Sequence, residues 1–245
     1  MSLAPKSPVK ERILATGGPG SGKTSAWLSI AKKNPDSHFY VIDSDFAVDR
    51  MLDGKSLTNV THDVATEWTE FVELTRKYQK AMKPNDWLVI DFISPAWNAV
   101  QAWYVEQVFG KDIDAYFVDR RKAKAKNDLE GDTDWKVINK AYGAWATMLL
   151  KTPGHLFATA PVKAVGDRDD AATKQLYALH GVKPEGQKML SHQFHTVLML
   201  SRARGGEFQM STVKDRERRE VNKAEVKDFA LSYLLSVAGW RPVAS

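Results

Sequence analysis

Residues 17–24, GGPGSGKT, constrain this chain more tightly than any other stretch. They fit G-x-x-x-x-G-K-[ST], with Gly17, Gly22, Lys23 and Thr24 in the fixed positions. Glycines at these steps let the backbone curl until successive N–H groups point inward at a phosphate, and a helix starting there adds the positive end of its dipole. The Lys23 ammonium can then reach β and γ phosphates, and the Thr24 hydroxyl can ligate a divalent cation. Gly17, Gly18, Pro19, Gly20, Ser21, Gly22, Lys23, Thr24 and Ser25 are therefore the candidate nucleotide-binding residues, with ATP and Mg²⁺ as the implied ligands. The flanks suit this. An apolar run at 13–16 ends in glycines, as a buried strand entering a turn does, and a helix is predicted over about 23–33.

Composition narrows the rest. The chain has no cysteine, which excludes a disulfide framework, a thiolate nucleophile and Cys-ligated zinc or clusters. Its 245 residues suit one large α/β domain or a domain with a small appendage. Residues 1–10 read as a flexible tail ahead of a domain spanning 11–245. No apolar run approaches bilayer length, and the opening MSLAPKSPVKER lacks the apolar core of a signal peptide, so a cytoplasmic protein with no membrane partner is expected. The net charge of +5, from 35 basic and 30 acidic side chains, permits a nucleic-acid partner without demanding one. Basic residues gather at Arg120, Arg121, Lys122, Lys124 and Lys126, where a solvated helix face explains them equally well, and again at Lys214, Arg216, Arg218 and Arg219.

Apolar runs at 39–42 and 87–90 each lead into acidic residues, as parallel strands lead into loops. Between them Trp68, Phe71, Val72, Thr75 and Tyr78 recur at helical spacing, which predicts an amphipathic helix over 66–82. Further helices are predicted over 95–109 and about 135–151, followed by the strand HLFATA. Runs at 196–201 and 207–213, separated by RARGG, predict an antiparallel hairpin at the sheet edge. A last helix is capped by Asn222, with Val226, Phe229, Tyr233 and Val237 on its apolar face. Segments 110–134 and 165–191 read as charged loops or insertions. Alternating strands and helices predict an α/β fold, a mostly parallel central sheet covered on both faces, with ligands at the carboxyl ends of the strands.

A phosphate loop needs a carboxylate that holds Mg²⁺ through water at the tip of a neighbouring strand. Asp91, ending WLVID, is the candidate, and a plain loop or N-cap aspartate is the alternative. Hydrolysis also needs a group that orients or deprotonates water. The run VIDSDFAVD, residues 41–49, resembles the segment of RecA-family recombinases whose acidic residue after the second strand activates water. With the glycine loop, WLVIDFIS, HLFATA and the closing hairpin, the resemblance covers most of residues 11–235 and is to a RecA-like P-loop ATPase core. The helix DTDWKVINKAYGAW before HLFATA, and STVKDRERR after the hairpin, are similar to phage-encoded RecA-like ATPases related to single-strand annealing proteins.

The resemblance implies that Asp45 takes the catalytic position that activates water, one methylene shorter than the family's usual glutamate. The alternative makes Asp43 and Asp45 solvated loop carboxylates. It implies that Lys214 and Arg216, matching K-x-R at the end of a late strand, reach the γ-phosphate of a neighbouring subunit, so the active form is a homo-oligomer or filament. A self-paired, solvated strand end explains the same charges. Where RecA proteins carry a polar sensor, often glutamine, this chain has ATAPVK, which leaves Thr159 or Lys163 as the nearest polar options, with Thr159 the sensor candidate or plain core. Single-stranded DNA is the implied partner, met by Lys163, Arg168, Lys174, Lys183 and Lys188, with Tyr177 alone among them as an aromatic platform. The expected function is that of a phage RecA-like ATPase acting on single-stranded DNA in recombination or replication, in the host bacterial cytoplasm. A small-molecule P-loop kinase and a nucleotide-dependent assembly scaffold with little turnover are the alternatives.

Overall fold

The computed structural model describes residues 10–52, 57–123, 131–216 and 241–242. In chain order the elements are β1 (Arg12–Gly17), α1 (Lys23–Lys33), β2 (Phe39–Asp43), α2 (Val48–Leu52), β3 (Val60–Val64), α3 (Trp68–Ala81), β4 (Trp87–Asp91), α4 (Ser94–Phe109), α5 (Ile113–Lys122), α6 (Gly131–Leu150), β5 (His155–Ala160), β6 (Val162–Ala164), α7 (Ala171–Leu176), β7 (Val182–Pro184), α8 (Leu190–Gln193), β8 (Thr196–Arg202), β9 (Phe208–Asp215) and β10 (Arg241–Pro242). The main sheet has the order β10-β9-β8-β1-β5-β4-β2-β3. From β8 to β3 every pairing is parallel, and β9 runs antiparallel to β8.

Strand side chains alternate between two apolar layers. Ile13, Ala15, Val41, Val89 and Phe157 pack with Ala26, Trp27 and Ile30 of α1. Leu14, Ile42, Leu88, Ile90 and Leu156 face the other way, onto Phe71 and Tyr78 of α3, Val100 of α4, and Tyr142 and Trp145 of α6. Burial on both faces explains why these strands are continuous apolar runs. The result is an α/β architecture, a mostly parallel sheet with helices on both faces and an antiparallel strand pair to one side.

Several elements depart from the sequence expectation, each for a local reason. Strand β3 has the sequence VTHDV, too polar to read as a buried strand, because it pairs only with β2 and its other side closes the sheet. Charges on such an edge discourage further pairing. Segment 110–134 contains α5, nucleated by the Asp112 carboxylate, which accepts from Asp114 N and Ala115 N. Segment 165–191 contains α7 and one strand of the small antiparallel β6–β7 sheet. The predicted hairpin is β8–β9, but β8 lies inside the sheet against β1, and β10 flanks β9. The helix expected after Asn222 lies outside the described residues, as do residues 1–9. Among the described residues no helix is long and apolar enough to cross a membrane.

At the amino end of the strands, Arg12 is 4% exposed and donates to the carbonyls of Leu150 (3.0 Å), Thr152 (2.7 Å) and Gly154 (2.8 Å). The guanidinium thus closes the α6-to-β5 turn onto β1. Beside it, Glu11 N donates to His155 Nδ1 at 3.1 Å. Burial, then the nearby Arg12 and Lys10 charges, lower the His155 pKa to about 4, so the folded chain holds a neutral imidazole. The unfolded imidazole takes up a proton below about pH 6.5, so the native state loses stability as pH falls from there towards 4. Between pH 7 and 4.5 this residue should cost about 2 kcal/mol, discounted for its partial exposure. Urea unfolding at the two pH values checks it. His155→Gln, which keeps an acceptor for Glu11 N, should lose that part of the pH dependence.

Candidate functional site

Strand β1 ends with Gly17 paired to Leu200 of β8. A Cβ on Gly17 would lie 2.3 Å from Leu200 O and 2.4 Å from Ser21 Oγ, so only glycine fits. The chain then turns through Gly20 and Gly22 at φ 69° and 87°, the left-handed region that glycine enters without steric cost. Ser21 N donates to Gly18 O at 3.2 Å, and Ala26 N to Gly22 O at 2.8 Å opens α1. Lys23 folds back over this loop, with Nζ donating to Gly17 O (2.8 Å) and Gly18 O (3.0 Å) and lying 5.1 Å from the Phe92 ring centre. Burial lowers its pKa, while the charges of Asp91 and Asp45 act in the opposite sense. Ser21 Oγ is buried without a hydrogen-bond partner.

Asp91 ends β4. This strand is not next to β1, as the sequence reading assumed. Strand β5 lies between them, and its Thr159 hydroxyl donates to Asp91 Oδ1. The indole Nε1 of Trp27, on α1, donates to Asp91 Oδ2 at 2.9 Å. The Thr24 hydroxyl is near enough to this carboxylate to help lower its pKa. Asp91 is 0% exposed. Burial pushes its pKa up and Asp43 adds to that, while Thr159, Trp27 and Thr24 pull it down. Threonine hydroxyl and carboxylate oxygens are hard donors of the type Mg²⁺ takes. With the glycine cradle and the orphaned Ser21 hydroxyl, the residues present suit a polyphosphate with its cation.

The segment after β2 separates two neighbouring aspartates. Asp43 is 1% exposed, and its carboxylate accepts from Asp45 N and Val48 N, both at 3.1 Å, turning the chain into α2. Asp45 is open to solvent and accepts from Ala47 N at 3.3 Å. Partial burial, then Asp91 and Asp43, raise the Asp45 pKa to about 6. Ser44, which nothing in the sequence singled out, staples the two strand tips: its N donates to Asp91 O at 2.6 Å, and its hydroxyl donates to Phe92 O and accepts from Phe92 N, both at 2.8 Å.

Lys214 and Arg216 lie elsewhere. Asp215 pairs with Thr196, which pairs with Ile13, so the end of β9 is at the amino end of β1, whereas Gly17 is at its carboxyl end. Lys214 Nζ donates to Ser191 O (2.7 Å) and Phe194 O (2.8 Å), and burial lowers its pKa to about 8. An Arg216 Nη donates to His192 O. Neither side chain faces the phosphate loop of its own chain.

The five lysines and arginines of the β6–β7 region sit on and around the small sheet. Lys163 and Lys183 are register partners, Lys183 pairs with Asp169, and Lys174 donates to Asp167 O at 2.9 Å. Lys163, Arg168, Lys174 and Lys188 are exposed. Tyr177 is buried, its hydroxyl 2.6 Å from Ser191 Oγ, so it offers no stacking face. A cavity of about 220 Å³ opens between Lys163, Tyr177, Lys183, Lys188 and His192.

The profile of the AAA domain family matches residues 10–218, from the start of β1 past the end of β9. The chain belongs to the AAA domain family. This AAA domain is a P-loop ATPase domain whose glycine loop and buried strand-end aspartate both lie within the matched residues. No protein of curated function matches it. Among solved structures, it is similar to a RadB recombinase at 13% identity, over 86% of this chain and 84% of that one, with a TM-score of 0.48. A prototypical ATPase from the type III secretion system of pathogenic bacteria matches at 13% identity over 79% of this chain and 53% of that one, with a TM-score of 0.41.

Proposed function

We propose that this AAA domain hydrolyses ATP with Mg²⁺ as a homo-oligomer or filament and acts on single-stranded DNA in phage recombination or replication, within the host bacterial cytoplasm. The observation that carries the reading is the glycine loop closed by Lys23, with the buried Asp91 carboxylate held by Trp27 of the helix that this loop opens. Backbone N–H groups of the loop residues 17–25 other than Pro19, with Lys23, bind the triphosphate. Thr24 and Asp91 hold the cation, which when bound neutralises charge on the phosphate oxygens. Asp45 orients and deprotonates the attacking water. A carboxylate with a pKa near 6 is ionised at neutral pH and still accepts a proton usefully.

Thr159 acts as the sensor, since its hydroxyl bonds Asp91 and its strand, β5, leads after one residue into β6 and Lys163. Two further bonds tie these regions: Ile93 N to Thr159 O at 2.9 Å, and Ser94 Oγ to Glu185 O at 2.9 Å. This chain of contacts supports coupling between nucleotide and DNA, with Lys163, Arg168, Lys174, Lys183 and Lys188 as the phosphate-contacting cations. Arg216 supplies charge to the neighbouring subunit's γ-phosphate, while Lys214 anchors the strand end that carries it. The distance of both from their own loop supports action in trans.

ATP turnover with and without single-stranded DNA tests the reading. DNA should raise the rate several-fold, Lys23→Ala should have none, and Arg216→Ala should lose about 10³-fold. Mixing the two variants should restore part of the activity, because a Lys23 variant still offers Arg216 to an intact loop. Tight ATP binding without DNA-stimulated turnover would select the assembly scaffold. Consumption of ATP only with a small acceptor would select the kinase.

A further inference from the structure

We propose that Trp27 is a positioning residue that orients the Asp91 carboxylate through its indole N–H, an inference that rests on the ATPase reading above. The other side chain that donates to Asp91 is the Thr159 hydroxyl, which rotates and can donate or accept. An indole N–H only donates and has one direction. The Trp27 ring is 0% exposed, packed in the layer that contains Ile13, Val89 and Phe157, so it cannot swing away. Its bond to Oδ2 therefore fixes the plane of the carboxylate, with Oδ1 left to Thr159.

The second half of the argument is helical geometry. Trp27 follows Thr24 by three residues on α1, so both side chains lie on one face of a single rigid element. That element begins at the phosphate loop. The indole thus sets the orientation of Asp91 relative to Thr24, across the intervening strand β5, and any shift of the helix start is passed to the carboxylate. A buried indole needs some acceptor in any case. The two roles, satisfying the tryptophan and orienting the aspartate, differ in what their loss does to cation-dependent binding.

The full chain is compared with Trp27→Phe and with a chain carrying 3-benzothienylalanine at position 27, which keeps the ring shape and replaces N–H by sulfur. A chain with 7-azatryptophan at 27, which keeps the N–H, is the rescue. Affinity for a fluorescent ATP analogue is measured in EDTA and in Mg²⁺, together with the Mg²⁺ concentration giving half-maximal turnover. Affinity in EDTA should stay within about twofold of the native chain, while the gain on adding Mg²⁺ should fall about tenfold in both N–H deletions and return with 7-azatryptophan. An unchanged Mg²⁺ gain in the benzothienyl chain overturns the inference. Equal losses in EDTA and in Mg²⁺ also overturn it, since they assign Trp27 to packing alone. If the native chain itself binds no nucleotide, or gains nothing from Mg²⁺, the ATPase reading fails and takes this inference with it.

Discussion

Asp91→Asn should abolish ATP turnover, by about 10³-fold or more, in a domain at least as stable as the native one. The two effects have separate causes. An asparagine can keep its oxygen on the Trp27 N–H, which only donates, and turn its amide toward Thr159, whose hydroxyl can reverse and accept. The local geometry survives. Meanwhile a carboxylate whose burial disfavours ionisation has been replaced by a neutral group, which removes a cost that the empty domain carries. The melting temperature should be unchanged or higher by about 2–4 °C, the shift that roughly 1 kcal/mol produces at this chain length. What the amide cannot supply is the negative charge that the cation and the phosphate chemistry require. Thermal unfolding alongside an ATPase assay checks both halves, and a strongly destabilised variant would contradict the hydrogen-bond assignment. Such a trade of stability for function is expected where a site is held in a costly arrangement.

Gly17→Ala should damage both the fold and nucleotide binding with a single methyl group. The new Cβ would meet Leu200 O at 2.3 Å, and this is backbone held in the β1–β8 ladder, so it cannot yield cheaply. Either β8 shifts or the loop opens. Overpacking of this kind costs about 1–3 kcal/mol or more, and nucleotide affinity should fall by about 100-fold because the cradle itself is displaced. Gly18→Ala is the internal control. No atom lies within 4 Å of its Cβ, so stability should stay within about 0.5 kcal/mol of the native chain. Denaturant titration and nucleotide binding distinguish the pair, and similar stability for both would show that the β1–β8 ladder accommodates the extra methyl.

The parts of this domain visible in the sequence are those whose physics is local. Positive φ at Gly20 and Gly22, the apolar alternation of β1, β2 and β4, and the helical spacing in α3 each depend on residues a few positions apart, so the glycine loop, its helix and the acidic strand ends could be placed from the string of residues. Strand β3 and helix α5 were passed over, because an edge strand and a solvated helix carry little apolar signal.

The sequence by itself determined that this chain builds a phosphate-binding loop on an α/β sheet and named Thr24, Asp45 and Asp91 as its partners. Only the tertiary structure decided how they meet. Trp27 and Asp91 are 64 residues apart, and Asp91 and Thr159 are 68 apart. Their meeting follows from β5 inserting between β1 and β4, a pairing that no local pattern encodes. The same holds for the division of labour between Asp43 and Asp45, alike in sequence. Folding buries one against the backbone of α2 and leaves the other beside Asp91, and it is the surroundings of a carboxylate, not its identity, that set its charge and its use.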